Sequence, residues 1–390
     1  MNTRRTFLRN ASLLSAYAAA GTWGKAVFAK ENSYDTGPIV HRQFPLNAEP
    51  RPPQLAAGFL TPQADFYVRN HGTMPKLSED GYTVHIEVPG AAPLDMPLAE
   101  LKRQFPRRSI TAVLQCAGNR RADMGKFKAV SGDAWHAGAI SNAVWGGIGL
   151  NDVLQAAGLR ASDDLHVAFA AHDDIEEEGE KFKFGVSIPL AKAMAPESLI
   201  AFEMNGEKLT QAHGFPLRVV VPGYAGVRSP KWLASIKVQD RPSDNYIQQK
   251  KYKLFPPDVT SQTVDVSQGP FINDMPLNSA ILLPAEGAVI PRGRTSVRGW
   301  AIATSHRVAR VEVSADRGTT WTQAALESHP EAPWSWTPWN AIVDLPKGRH
   351  KLTVRAFDTA GESQPSSAAL IWNYLGYLSR AWHQVEIQAV

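Results

Sequence analysis

With 390 residues, 41 Lys and Arg against 37 Asp and Glu, and a formal charge of +4, the chain is long enough for two domains of about 100 to 200 residues, each with its own core. Four of the bases, Arg4, Arg5, Arg9 and Lys25, lie in the first 29 residues, which hold no acid, and the remaining 37 are matched by 37 acids. The sequence pI of about 9.0 is therefore no argument for binding nucleic acid or an anionic membrane.

Thr3-Arg4-Arg5-Thr6-Phe7-Leu8-Arg9 runs into a short Ala-rich apolar stretch from Ala11 to Gly21. That pattern predicts a twin-arginine export signal over 1–29, with Val27-Phe28-Ala29 at the cleavage site and a mature start near Lys30. The alternative is a basic leader with no address. The apolar stretch is too short to span a bilayer, and the route, which carries folded proteins, implies the periplasm.

From 40 to 256 helix and strand signals alternate. Asn151 to Ala157 has helical spacing ahead of Gly158, and Pro189 suits the first turn of a further helix. Leu199 to Met204 reads as a strand entering a tight hairpin at Asn205-Gly206. Leu217 to Val221 reads as a buried strand carrying one charge, Arg218. Phe255-Pro256-Pro257 opens a Ser, Thr, Asp and Pro-rich stretch that predicts a linker over 256–285. Beyond it, 296–303, 308–315 and 351–357 alternate apolar and polar residues between turns, predicting a β-sandwich within 270–390. The fold class expected is α+β followed by an all-β domain.

Cys116 is the only cysteine. It cannot form an intramolecular disulfide or share a zinc with other thiolates. Its setting, Gln115-Cys116-Ala117-Gly118-Asn119-Arg120-Arg121, places a soft thiolate beside a small turn and two guanidiniums, which suits a metal whose other ligands come from a cofactor. Further cationic, amide and aromatic groups gather at Tyr67-Val68-Arg69-Asn70-His71, at Gly132 to Trp135, at His213 to Arg218 and at Lys231-Trp232-Leu233. Singly, each has a structural explanation: a surface ion pair for Arg69, a satisfied loop histidine for His71, core for Trp135, a small buried hydrophobe for Cys116. A strand arginine is harder to dismiss, because a buried guanidinium is costly unless it meets an anion.

Taken together, these segments, with Gly185 to Leu190, Glu203 to Gly206, His213 to Gly223 and Trp382-His383, resemble the sulfite oxidase family of molybdenum enzymes over nearly all of the mature sequence. The resemblance implies a mixed domain binding a molybdopterin cofactor and an immunoglobulin-like sandwich through which members dimerise. It assigns Cys116 as the metal ligand, with a pterin dithiolene as the accompanying donor. Tyr67, Val68, Arg69, Asn70, His71, Asp173, His213, Arg218, Ser229, Pro230 and Lys231 match positions that hold the pterin and its phosphate. A phosphate would give Arg218 a charge-assisted partner. Arg69, Arg121, Trp135 and Tyr252 match the substrate pocket, where guanidiniums would draw in sulfite for oxidation to sulfate. Arg120 could equally turn away to pair with an acid.

The lone cysteine excludes a c-type haem motif, so no haem is expected in this chain, and export points to a separate c-type cytochrome as electron acceptor. Direct use of oxygen is the competing possibility. One departure stands out: animal members read Trp-Asn-x-Arg-Gly where this chain has Trp372-Asn373-Tyr374-Leu375-Gly376, losing a positive charge. Alternatives are a sulfane dehydrogenase subunit, another molybdenum oxidoreductase with a different oxo-transfer substrate, or an exported binding protein with no catalysis.

Overall fold

The strand Arg107–Gln115 pairs antiparallel with Ile140–Gly149, in register from Arg107↔Ile148 to Gln115↔Ile140. It begins exposed and ends fully buried, so it carries the residue that follows it, Cys116, into the interior. The computed structural model describes residues 37–160 and 164–390. The export signal expected over 1–29 lies outside the described residues.

Ile140–Gly149 also pairs with Leu199–Met204, which pairs in turn with Arg218–Val220 through Ala201↔Arg218. The hairpin after Met204 forms at Asn205 and Gly206, with φ of 53° and 82°, the left-handed pair that a two-residue turn demands. A second sheet runs in the order Leu94–Pro97, Thr83–Glu87, Leu233–Gln239, His166–Glu177, Glu180–Pro189. Its one parallel pairing joins Thr83–Glu87 to Leu233–Gln239. A small sheet of Ile39–Arg42, Asn47–Glu49 and Val68–Arg69 adds the segment that holds Arg69. Short helices fill the connections: Leu150–Ala156 ends before Gly158 at φ 92°, and Leu190–Met194 starts from Pro189 as its N-cap. Val84, Ile86, Phe169, Val186, Val219 and Ile236 belong to the main core.

The C-terminal part is a sandwich. One sheet runs Asn278–Leu283, Gly293–Ile302, Thr337–Leu345, Ala325–Leu326 and the other Val289–Ile290, His383–Ala389, Gly348–Asp358, Val308–Ser314, Thr322–Gln323. Val297, Val311, Val343, Leu352, Val354 and Val385 form the core they share.

The expected linker over 256–285 holds for 256–270, which are mostly exposed turns, and is corrected beyond them. Ile272 and Met275 are buried in the first core, Lys253 bridges to Phe271, and Asn278–Leu283 is a strand of the sandwich. The Ser, Thr and Pro content of the stretch masks the apolar residues that anchor it. The two parts are joined closely: Val113 N donates to Trp334 O at 3.0 Å, Trp336 Nε1 to Phe59 O at 3.0 Å, and Trp300 Nε1 to Ala137 O at 3.3 Å. The described residues fold as one unit.

Candidate active site

Cys116 follows the buried end of Arg107–Gln115 in a tight turn. Its amide donates to Ala139 O, its carbonyl accepts from Asn119 N, and its Sγ accepts from Gly118 N at 3.4 Å. Arg120, at φ 63°, then starts the helix Arg121–Phe127. The two arginines part at this point. Arg120 is 1 % exposed and turns away, donating to Asp123 at 3.0 Å, Asn278 Oδ1 at 2.7 Å, Ser279 O at 3.1 Å and Ala381 O at 2.7 Å. It locks the cysteine turn to the sandwich domain, which answers the question its sequence position left open. Arg121 takes a different course, donating to Leu375 O at 2.9 Å and Asp133 O at 3.0 Å.

Cys116 opens onto a cavity of about 660 Å³, counting its mouth, which Tyr67, Arg69, Asn70, His71, Asp173, His213, Arg218, Ser229, Pro230, Lys231 and Tyr252 also line. Val68, Arg121 and Trp135 do not reach this lining. Val68 is buried. Trp135, 1 % exposed, packs in the same apolar cluster as Cys116 and Tyr67, with its ring 4.6 Å from that of His41.

The cavity carries more cations than acids. Arg218 spends its donors on three carbonyls, Val219 O, His213 O and Ser229 O, and burial pulls its guanidinium down to about 10. Lys231 Nζ is held by Ala212 O at 2.8 Å and by Asn70 Oδ1. Among the described residues, Arg69, Arg218 and Lys231 form no ion pair. The cavity carboxylate is Asp173, buried, with Oδ1 unpartnered and its pKa raised to about 6 by burial, against the pull of Lys231. His213 is neutral: burial, then Lys231 and Arg218, hold it down to about 3. Its Nε2 faces Phe66 O at 3.3 Å, so Nδ1 accepts from the Thr210 hydroxyl at 2.7 Å. Three cations fit a phosphate, and an unpartnered carboxylate fits the amino and ring N–H groups of a pterin. A single buried thiolate fits a metal whose remaining ligands the cofactor brings.

Tyr252 closes the other side. Its Oη lies 2.7 Å from His71 Nε2, and its ring stacks on Tyr377 with centroids 5.1 Å apart and planes 17° from parallel. Burial raises the phenol of Tyr252 and, with help from Arg69, holds His71 well below the ordinary imidazole range. The pair is thus neutral, a protonated phenol beside an unprotonated imidazole. The Arg121 guanidinium sits 5.3 Å from the Tyr377 ring, which links Arg121 to Tyr252 through one aromatic plate.

Tyr377 and the fully buried Arg228 are site elements that sequence reasoning missed. Neither lies in a motif: Tyr377 meets Tyr252 across more than 100 residues of chain, and Arg228 reaches the segments on either side of Tyr252, at Gln248 and Ile272. Asn47 belongs with them. It donates to Asp133 Oδ2 at 3.0 Å and accepts from Asn70 N at 2.8 Å, tying the Arg69 segment to the loop that leads to Trp135.

A thiolate turn, a cationic cradle and a sandwich domain define a molybdopterin-binding oxidoreductase. The profile of the Oxidoreductase molybdopterin binding domain matches residues 71–247, and that of the Mo-co oxidoreductase dimerisation domain matches residues 269–390. The chain is 41 % identical to mitochondrial sulfite oxidase of Mus musculus over 361 residues, covering 90 % of this chain and 65 % of the mouse protein. It is 37 % identical to sulfite oxidase of Arabidopsis thaliana over 386 residues, covering 94 % and 97 %. The fold matches the crystal structure of the sulfane dehydrogenase SoxCD from Paracoccus pantotrophus with a TM-score of 0.75 at 23 % identity, covering 95 % of each chain. The chain belongs to the sulfite oxidase family.

Proposed function

We propose that the protein oxidises sulfite to sulfate at a molybdopterin cofactor ligated by Cys116, and passes the electrons one at a time to an external acceptor, a c-type cytochrome. The observation that carries this reading is the convergence of Cys116, Arg69, His71 and Tyr252 on one cavity whose cations exceed its acids. Arg218, Lys231, His213 and Asp173 would hold the phosphate and pterin. When bound, the cofactor supplies the oxygen-transfer and two-electron chemistry.

The chain's own residues attract, orient and shield. Arg69 and Arg121 offset the repulsion between a divalent anion and an electron-rich centre, and turn its sulfur lone pair inward. Tyr252 keeps its proton across the neutral range, so an anion oxygen can replace His71 Nε2 as the acceptor of that hydroxyl. That exchange frees no proton and leaves His71 Nε2 as an open, unprotonated acceptor beside the site. Trp135 and Phe66 exclude water from the thiolate side.

The export reading puts this chemistry in the periplasm, and the family's dimerisation domain supports a homodimer. Purified protein of known molybdenum content, assayed for sulfite-dependent ferricyanide reduction, tests the reaction. Rates should scale with molybdenum, and loaded protein that ignores sulfite would redirect the search to another oxo-transfer substrate.

A further inference from the structure

Arg228 is 0 % exposed, and among the described residues it forms no ion pair. Burying a guanidinium without a carboxylate is costly, so its contacts must return something to the fold. Nε donates to Ile272 O at 3.0 Å, and Nη1 donates to Gln248 Oε1. These two acceptors lie on either side of Tyr252. Gln248 belongs to the helix Tyr246–Lys250, which ends two residues before it. Ile272 N donates to Tyr252 O at 2.8 Å, and the neighbouring Lys253 bridges to Phe271.

Tyr252 itself has φ of 53°, a left-handed conformation that a bulky residue keeps only where its surroundings hold it. The residues on both sides of Arg228, Val227 and Ser229, line the cavity that Cys116 opens onto. Ser229 O also accepts from Arg218 Nη2 at 2.9 Å.

We propose that Arg228 is a positioning residue: one buried guanidinium joins the helix ahead of Tyr252 to the segment paired with it, and so fixes the phenol over the cavity that holds Cys116. The role in turnover rests on the sulfite-oxidation reading. A planar fork is required because the acceptors sit on two different elements, and a lysine ammonium has no rigid geometry with which to span them.

The test is a double-mutant cycle in the molybdenum-loaded enzyme, read together with a spectrum that needs no turnover. Arg228→Gln should lower kcat per molybdenum about tenfold with a small change in KM, yet change it less than about twofold in a Tyr252→Phe background. Arg228→Lys should recover only part of the loss. In protein labelled with 13Cζ-tyrosine, the resonance absent from Tyr252→Phe should shift or broaden in Arg228→Gln. If Arg228→Gln does not accumulate folded, Gln248→Leu removes one of the two acceptors and should move the same resonance. A full tenfold loss that persists in the Tyr252→Phe background overturns the proposal, as does an unmoved Tyr252 resonance. If loaded wild-type protein fails to oxidise sulfite, the functional reading falls, and the resonance alone then decides whether Arg228 sets the position of Tyr252.

Discussion

Leu375 shows how a single residue can change the charge of a site without changing its frame. Its carbonyl accepts from Arg121 Nε at 2.9 Å, a contact any side chain would allow, while its side chain packs against the main core. Where the family pattern Trp-Asn-x-Arg-Gly implied a positive charge, this chain has apolar packing. Leu375→Arg should lower the KM for sulfite by about three- to tenfold, since one added charge near a partly screened anion contributes on the order of 1 kcal/mol. A KM that stays level or rises in steady-state assays would show that this position does not face the substrate. The motifs predicted that Cys116 and the arginines matter, but not which arginine would tie to the sandwich and which would approach Tyr377. Arg120 and Arg121 are adjacent in sequence, and the left-handed φ of Arg120 separates them.

At the level of elements, three loops close around Arg121 by means of glycine. A Cβ on Gly376 would lie 2.6 Å from Arg121 Cγ, one on Gly118 2.6 Å from its Nη2, and one on Gly132 2.9 Å from its Nη1. Gly376 has φ of 64°, and Leu378 N fastens the same loop to Ala117 O at 2.8 Å. Gly376→Ala must therefore displace the guanidinium as well as strain the turn. We expect about 1 kcal/mol of lost stability from the backbone, and a KM for sulfite raised about tenfold with molybdenum content retained. Thermal unfolding and kinetics on one preparation check both, and a KM equal to wild type would remove Gly376 from the set that places Arg121. The Asn205-Gly206 hairpin was legible in advance because its turn chemistry is local. The glycine cradle was not, because its three members come from separate loops.

At the scale of the whole molecule, a buried polar cluster fastens the cysteine turn to the sandwich. Arg120 binds Asp123 and the carbonyls of Ser279 and Ala381, and His383 Nδ1 accepts from Ile281 N at 3.0 Å with its Nε2 3.7 Å from Asp123. Burial holds His383 down to about 3, as it does His213 in the cavity. A histidine whose folded pKa is depressed contributes stability that is complete above its unfolded pKa of about 6.5 and is lost as pH falls toward 3. The protein should therefore lose stability steadily below about pH 6.5, at up to about 1.4 kcal/mol per pH unit for each such histidine. His383→Gln, which cannot take up a proton, should make this slope shallower in denaturant unfolding followed across pH 4 to 7. An unchanged slope would mean that His383 does not stay neutral in the fold.

The sequence by itself determined the family, the α+β class with its sandwich, and the chemical types gathered around Cys116, because motifs, turn residues and strand periodicity are local and can be read along the chain. Only the tertiary structure decided how two neighbouring arginines part, that the second half of the expected linker anchors in both cores, and that Tyr377, Arg228 and glycines of three separate loops shape the site. Those outcomes depend on packing and on the cost of leaving buried donors unpaired, and both are set by residues far apart in sequence that meet only when the sheets close.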